Sequence, residues 1–188
     1  MTVLDCLKPG SDASWLPKDE AKRGTGILCS VGWKDIDKPT HYRYLPFAPN
    51  GINYCAAAGV DVISGNFTGC IMATFTDSEG RNICHVSTGN SMDCKQEWAR
   101  IQEKFKFKGV RNFKPDSGIP ADLKGKALDW CYGLITSDSK CYAITTTVEK
   151  NGKRVVFAVK RVDPIQVVQG PDRMDVLQPA TQPALKWS

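Results

Sequence analysis

Cys70 closes the segment Ser64-Gly65-Asn66-Phe67-Thr68-Gly69-Cys70, and His85 sits fifteen positions later in Ile83-Cys84-His85-Val86-Ser87-Thr88-Gly89. A thiol with a free pKa of about 8.5 is mostly protonated at neutral pH and becomes a nucleophile beside a base or a positive neighbour. Histidine supplies either. Gly69 has no Cβ, so a carbonyl can approach the sulfur closely, and a turn bending into Cys70 can aim backbone N–H groups at a developing oxyanion. Ser64, Asn66 and Thr68 are the polar side chains placed to orient the imidazole or complete the oxyanion site. The chain has 8 cysteines, so one cysteine alone says little, because free cysteine is most often a small buried hydrophobe. With only 2 histidines in the chain, it is the pairing that carries the reading.

The elements that must position this pair are two strands. Ile71 to Thr76 is rich in β-branched and aromatic residues, Asp77-Ser78-Glu79-Gly80 is a turn sequence, and Asn82 to Thr88 is strand-like again. Pairing as a hairpin brings the start of the first strand beside the end of the second, and so Cys70 beside His85. Alternation sends Cys84 to the face opposite His85.

The Thr68-Gly69-Cys70 step, the histidine at 85 and the following Ser87-Thr88-Gly89 resemble the catalytic segment of the cytotoxic necrotizing factor family of glutamine deamidases. That Cys-His core is shared by the Burkholderia lethal factor and the bacterial chemoreceptor deamidase CheD. In the latter two a threonine about six residues before the cysteine helps hold the histidine; the matching position here is Ser64. In the necrotizing factors the third element is a backbone carbonyl. The resemblance spans Ser64 to Gly89. It implies an α/β (α+β) fold, a layered mixed or largely antiparallel β-sandwich with outer helices. It also implies hydrolysis of a glutamine side-chain amide in a protein, with Cys70 as nucleophile, His85 as base and Ser64 as orienting group. Gly69, Thr68 and Asn66 would serve the oxyanion or the substrate. A bacterial effector or toxin acting in a target cell's cytosol fits that family.

Composition bounds the rest. The 188 residues, 41% of them hydrophobic, suit one domain with a real core. A net charge of +5 and a pI near 8.7 suit an acidic protein surface without demanding nucleic acid. The chain needs no disulfide staples and opens without a basic region and apolar run, so we expect reduced thiols in a cytosolic setting, with any export independent of a cleaved signal peptide. There is no CxxC and no ligand spacing for a metal, so we expect neither metal nor cofactor, and no run approaches a membrane span. We expect a monomer.

Residues 1–24 read as an irregular N-terminal arm, 25–163 as the catalytic domain with its core starting near Ile27, and 164–188 as an extended proline-containing tail. Asp35 to Asn50, with Pro39, Pro46 and Pro49 among Tyr42, Tyr44 and Phe47, reads as an ordered loop packed on an apolar surface. Residues 52–63 read as one buried strand entering the Cys70 segment. A helix follows His85, capped by Thr88 or Asn90, with Met92, Trp98, Ile101, Gln102 and Phe105 near helical spacing. Residues 126–136 are apolar, and Cys141–Val148 and Arg154–Val162 flank the turn dipeptide Asn151-Gly152. From Lys104 to Lys114, cations interleave with Phe105, Phe107 and Phe113, as in single-strand nucleic-acid binders. A helix end followed by a half-buried edge strand gives the same pattern, and we take that reading over nucleic-acid binding.

Three alternatives stay open. A cysteine peptidase or acyltransferase would use the same pair, and a transglutaminase would replace water by an amine. A noncatalytic binding or immunity protein would need neither residue.

Overall fold

The hairpin at the centre of the chain, β5 (Ile71–Thr76) and β6 (Arg81–Val86), pairs antiparallel from Ile71↔Val86 to Thr76↔Arg81. Its turn is closed by Asp77 N–H donating to the Gly80 carbonyl, while Asp77 Oδ1 accepts from the Glu79 and Gly80 amides. The structure, a computed structural model, describes residues 2–18, 27–31, 40–57, 59–88, 94–104, 106–119 and 128–166.

The hairpin is the middle of one sheet. β3 (Ile52–Ala56) pairs with β6, β7 (Lys108–Phe113) pairs with β5, and the short β11 (Ile165–Gln166) pairs with β7, all antiparallel. The second sheet has the order β1-β2-β4-β8-β9-β10. Its strands are β1 (Ile27–Val31), β2 (Thr40–Leu45), β4 (Asp61–Gly65), β8 (Trp130–Ile135), β9 (Cys141–Val148) and β10 (Arg154–Arg161). β2 and β4 run parallel; the other pairs are antiparallel. Parallel neighbours need a crossover. Here the chain leaves β2, runs β3 in the other sheet and returns as β4. The fold is thus mixed α+β and mostly β, in two sheets.

The layers follow from alternation. Leu45, Val62, Cys131, Ile135 and Cys141 of the six-stranded sheet meet Cys55, Met72, Ile83 and Phe113 of the five-stranded sheet in one buried cluster. On the outer face of the five-stranded sheet, Ala73, Phe75, Cys84 and Val86 pack against Trp98 and Ile101 of α1 (Cys94–Lys104). Strands β5 and β6 are therefore buried on both faces. The single α-helix among the described residues lies outside one sheet, where outer helices in the plural are expected from sequence.

Four sequence expectations need correction. The core begins well before Ile27: Val3, Cys6, Leu7, Ala13 and Leu16 are buried against Tyr42, Tyr132, Ile144 and Val156 on the outer face of the six-stranded sheet. Glycine, proline and charged residues hid these anchors, which lie in a 3-10 turn and bends without strand or helix period. Residues 52–63 are two strands, one in each sheet, because Gly59 (φ +71°) and the Val60 N–H to Ala57 carbonyl bond turn the chain between them. Of the expected loop at 35–50, residues 40–45 are β2, with Tyr42 and Tyr44 facing the core. Thr88 does not cap a helix: its hydroxyl donates to the Gly69 carbonyl at 2.9 Å. Asn90, Met92, Phe105 and the tail beyond Gln166 lie outside the described residues.

The β9–β10 hairpin turns at Lys150-Asn151-Gly152. Only Gly152 takes a positive φ (+80°), with Gly152 N–H bonded to the Glu149 carbonyl and Glu149 N–H to that of Lys153. This is a three-residue loop with a glycine bulge rather than the two-residue turn the dipeptide suggests. Phe107 is buried and stacks on Phe75 at 4.2 Å, and Phe113 belongs to the layer between the sheets. Neither ring is presented to a nucleic-acid base.

Candidate active site

His85 lies on β6 with its side chain between the sheets and fully buried. Its register partners are Met72 on β5 and Asn53 on β3. Cys70 precedes β5, two residues before Met72, so alternation carries its side chain to the face that holds His85. Opposite residues at this register would be Cys70 and Ser87, which makes Cys70 and His85 diagonal neighbours across the two strands. The Phe67 ring stacks on the imidazole with centroids 4.1 Å apart and planes 10° apart, and Phe67 and Cys70 belong to one buried cluster. Phe47 lies 5.0 Å from the imidazole centroid, tilted by 46°. Two rings thus fix the plane of the histidine.

The third polar member comes from the other sheet. Ser64 on β4 is fully buried and points inward with Val62, and its Oγ lies 2.8 Å from His85 Nδ1. The same Oγ lies 2.7 Å from the carbonyl oxygen of Leu45, its register partner on β2. These two distances assign the protons. A carbonyl only accepts, so the single hydroxyl proton of Ser64 goes to Leu45, and the Ser64 oxygen then accepts the proton of Nδ1–H. Nε2 is left with a bare lone pair. It is buried and has no hydrogen-bond partner among the described residues, Cys70 included. Burial pulls the imidazole down to about 3, so the ring is neutral at physiological pH.

The segment Asn66–Cys70 crosses from the six-stranded to the five-stranded sheet and carries the other sequence-predicted residues. Phe67 N–H donates to the Cys131 carbonyl at 2.9 Å, which anchors the crossing at one end; the Thr88 hydroxyl on the Gly69 carbonyl anchors it at the other. Gly69 adopts φ +111°, a conformation that favours glycine. Thr68 is exposed and Asn66 half-buried, and neither side chain bonds His85. Of the predicted residues the fold therefore joins Ser64 to His85 by a hydrogen bond, sets Cys70 on the same sheet face with no hydrogen bond to the imidazole, and turns Thr68 outward.

Sequence reasoning missed Phe67 as the plate beneath the imidazole, the Leu45 carbonyl as the group that orients Ser64, and Gly133. A Cβ at Gly133 on β8 would lie 2.6 Å from Met72 Sδ and 3.2 Å from the Phe67 ring, so glycine there lets both seat against the six-stranded sheet. Phe67 lies inside the predicted segment, and its flanking polar residues drew the attention. Leu45 and Gly133 carry no local signal at all.

The described residues hold no group of three or more histidine, cysteine, aspartate or glutamate side chains arranged to bind a metal, and no helix long and apolar enough to cross a membrane. Cys70 is 7% exposed. Comparison with protein-family models, with curated proteins and with solved structures finds no match.

Proposed function

We propose that the chain is a cysteine-dependent amidohydrolase that deamidates a glutamine side chain of a partner protein. The observation that carries this reading is the polarised histidine: Nδ1–H is held by Ser64, and Nε2 is bare on the face of the sheet that bears Cys70. An unpaired buried lone pair costs about 1–3 kcal/mol, and such a group in a folded core calls for a function.

In the proposed reaction Nε2 takes the Cys70 thiol proton as sulfur attacks the carboxamide carbon. Backbone N–H groups of the Gly69–Cys70 turn face the developing oxyanion. Collapse of the tetrahedral adduct breaks the C–N bond. The imidazolium gives its proton to the departing ammonia. Water then adds to the thioester with Nε2 as base, and glutamate leaves with the sulfur reprotonated. Ser64 positions and does not react. The partner gains a negative charge where it had none, with no cofactor required, and the family resemblance makes a secreted effector acting in a target cytosol the setting. A peptidase, an acyltransferase or a transglutaminase would run the same first step and differ in what enters or in what replaces water.

A noncatalytic binding protein is the second reading, and one observation favours it: His85 is fully buried and Cys70 nearly so. Incubation of wild type and Cys70→Ser with a target-cell lysate, followed by mass spectrometric mapping of glutamine-to-glutamate conversion, separates the two. Conversion by wild type and none by a folded Cys70→Ser supports the enzyme. Equal effects of both on the target cell sink it.

A further inference from the structure

Four cations converge around the β8–β9 turn, away from Cys70. Arg111 on β7, Lys140 in the turn and Arg161 at the end of β10 line a groove of about 480 Å³ together with Cys141, Val162 and Pro164. Behind it, Arg81 on β6 donates to the Ser137 and Thr136 carbonyls at 3.0 and 3.3 Å. Two carboxylates share the groove and leave the charge incompletely balanced. Asp138 is taken by Lys140 at 2.7 Å and by the Thr136 hydroxyl, whereas Asp163, 94% exposed, touches Arg161 only at 3.9 Å. Arg111 makes no ion pair among the described residues.

The cations are close enough to repel one another. Burial pulls the Arg81 guanidinium below its ordinary value, and Arg111 pulls it the same way. Burial pushes the Cys141 thiol up to about 11 against the opposing pull of Arg81, Arg111 and Arg161, so three guanidiniums act on one sulfur. Like charges held in a concave site favour an anionic occupant.

We propose that this groove binds a small phosphorylated ligand, its phosphoryl group held by Arg111 and Arg161 and its apolar body lying against Val162 and Pro164. A phosphoryl dianion presents three peripheral oxygens and more charge than a carboxylate, which suits two guanidinium forks approaching from different strands. The volume exceeds that of a bare phosphate and falls within the range of small-molecule sites. The site is separate from Cys70 and His85 and stands whether or not the chain is a deamidase.

The test is calorimetric titration of the full chain with inorganic phosphate, phenyl phosphate and acetate at low ionic strength, repeated with R111A and R161A. Both substituted side chains are solvent-exposed, so the variants should fold, which circular dichroism checks. Saturable phosphate binding in the millimolar range or tighter is expected, with phenyl phosphate tighter still. Each variant should weaken it about tenfold or more, and acetate should bind at least about tenfold more weakly. Absence of saturation by phosphate and phenyl phosphate up to about 20 mM, acetate binding as well as phosphate, or unchanged binding in folded R111A and R161A would each overturn the proposal.

Discussion

Ser64 and His85 sit on different sheets, and the 2.8 Å hydrogen bond between them is a polar link across the apolar layer that joins the sheets. It couples a packing interface to the tautomer of one imidazole, and so makes the state of Nε2 a property of the whole sandwich.

Ser64→Ala should therefore act on stability and turnover together. It strips the partner from a buried Nδ1–H and from the Leu45 carbonyl, a loss of about 1–3 kcal/mol. The imidazole becomes free to place its proton on Nε2, which disarms the base. Ser64→Thr keeps the hydroxyl and should retain activity. Urea denaturation with nitrogen-15 spectra of His85 reads both effects; an unchanged Nδ1–H tautomer in the alanine variant would remove Ser64 from its positioning role.

The His85 burial gives a signed pH dependence. Its folded value of about 3 lies below the unfolded value of about 6.5, so the unfolded chain binds the proton first. The stability contribution is complete above pH 6.5 and is lost as pH falls toward 3. By pH 5 the loss should be about 2 kcal/mol, before lowered carboxylates such as Asp12 begin to titrate. Denaturant midpoints between pH 7.5 and 5 check this, and His85→Gln should flatten the slope. The acid limb of kcat/KM should also fall below pH 6.5 rather than at it.

Thiol reactivity should single out Cys70 from its equally enclosed neighbours. Burial pushes Cys131 up to about 12 and Cys141 up to about 11, and raises Cys84 far above its ordinary value. Cys70 shares the sheet face of His85 and its bare nitrogen and, unlike Cys55 on the same face, follows the Gly69 turn. Brief alkylation near pH 7.5 with peptide mapping should label Cys70 at least about tenfold faster than Cys131 or Cys141. Faster labelling of Cys131 would argue that His85 does not act on Cys70.

Arg154 should prove to be the latch of the N-terminal segment. Its guanidinium is buried, pairs with Asp129 at 2.7 Å, donates to the Leu16 carbonyl at 2.7 Å and to the Ala13 carbonyl at 3.4 Å, and reaches the Tyr132 hydroxyl. Tyr132 in turn donates to the Pro17 carbonyl at 2.8 Å. Arg154→Ala takes from the half-buried Asp129 one of its two cationic partners, Lys18 at 3.1 Å remaining, and strips the guanidinium from the Leu16 carbonyl, and should cost about 1–3 kcal/mol. Limited proteolysis should then cut within residues 2–18, and protection equal to wild type would assign the anchoring to Val3, Cys6 and Leu16 alone.

What the sequence determined is local. Alternation along Ile71–Thr76 and Arg81–Val86, closed by Asp77–Gly80, places Cys70 and His85 on one face and Cys84 on the other, because a strand has a period of two and a four-residue turn leaves little choice of register. The β9–β10 pairing is legible for the same reason, even though its turn is one residue longer than the dipeptide suggests. The tertiary structure decided what that face meets. Ser64 is twenty-one residues from His85 and in another sheet; Phe47 meets the imidazole, the Leu45 carbonyl meets Ser64 and Gly133 makes room for Phe67 only through the packing of the two sheets. The burial of Val3 to Leu16 on the outer face of the six-stranded sheet, and the gathering of Arg111, Lys140 and Arg161 from both sheets, are likewise products of packing between segments remote in the chain. Periodicity records which side of an element is apolar. It holds no record of which distant segment covers that side, since this is settled by the summed packing of contacts remote in the chain.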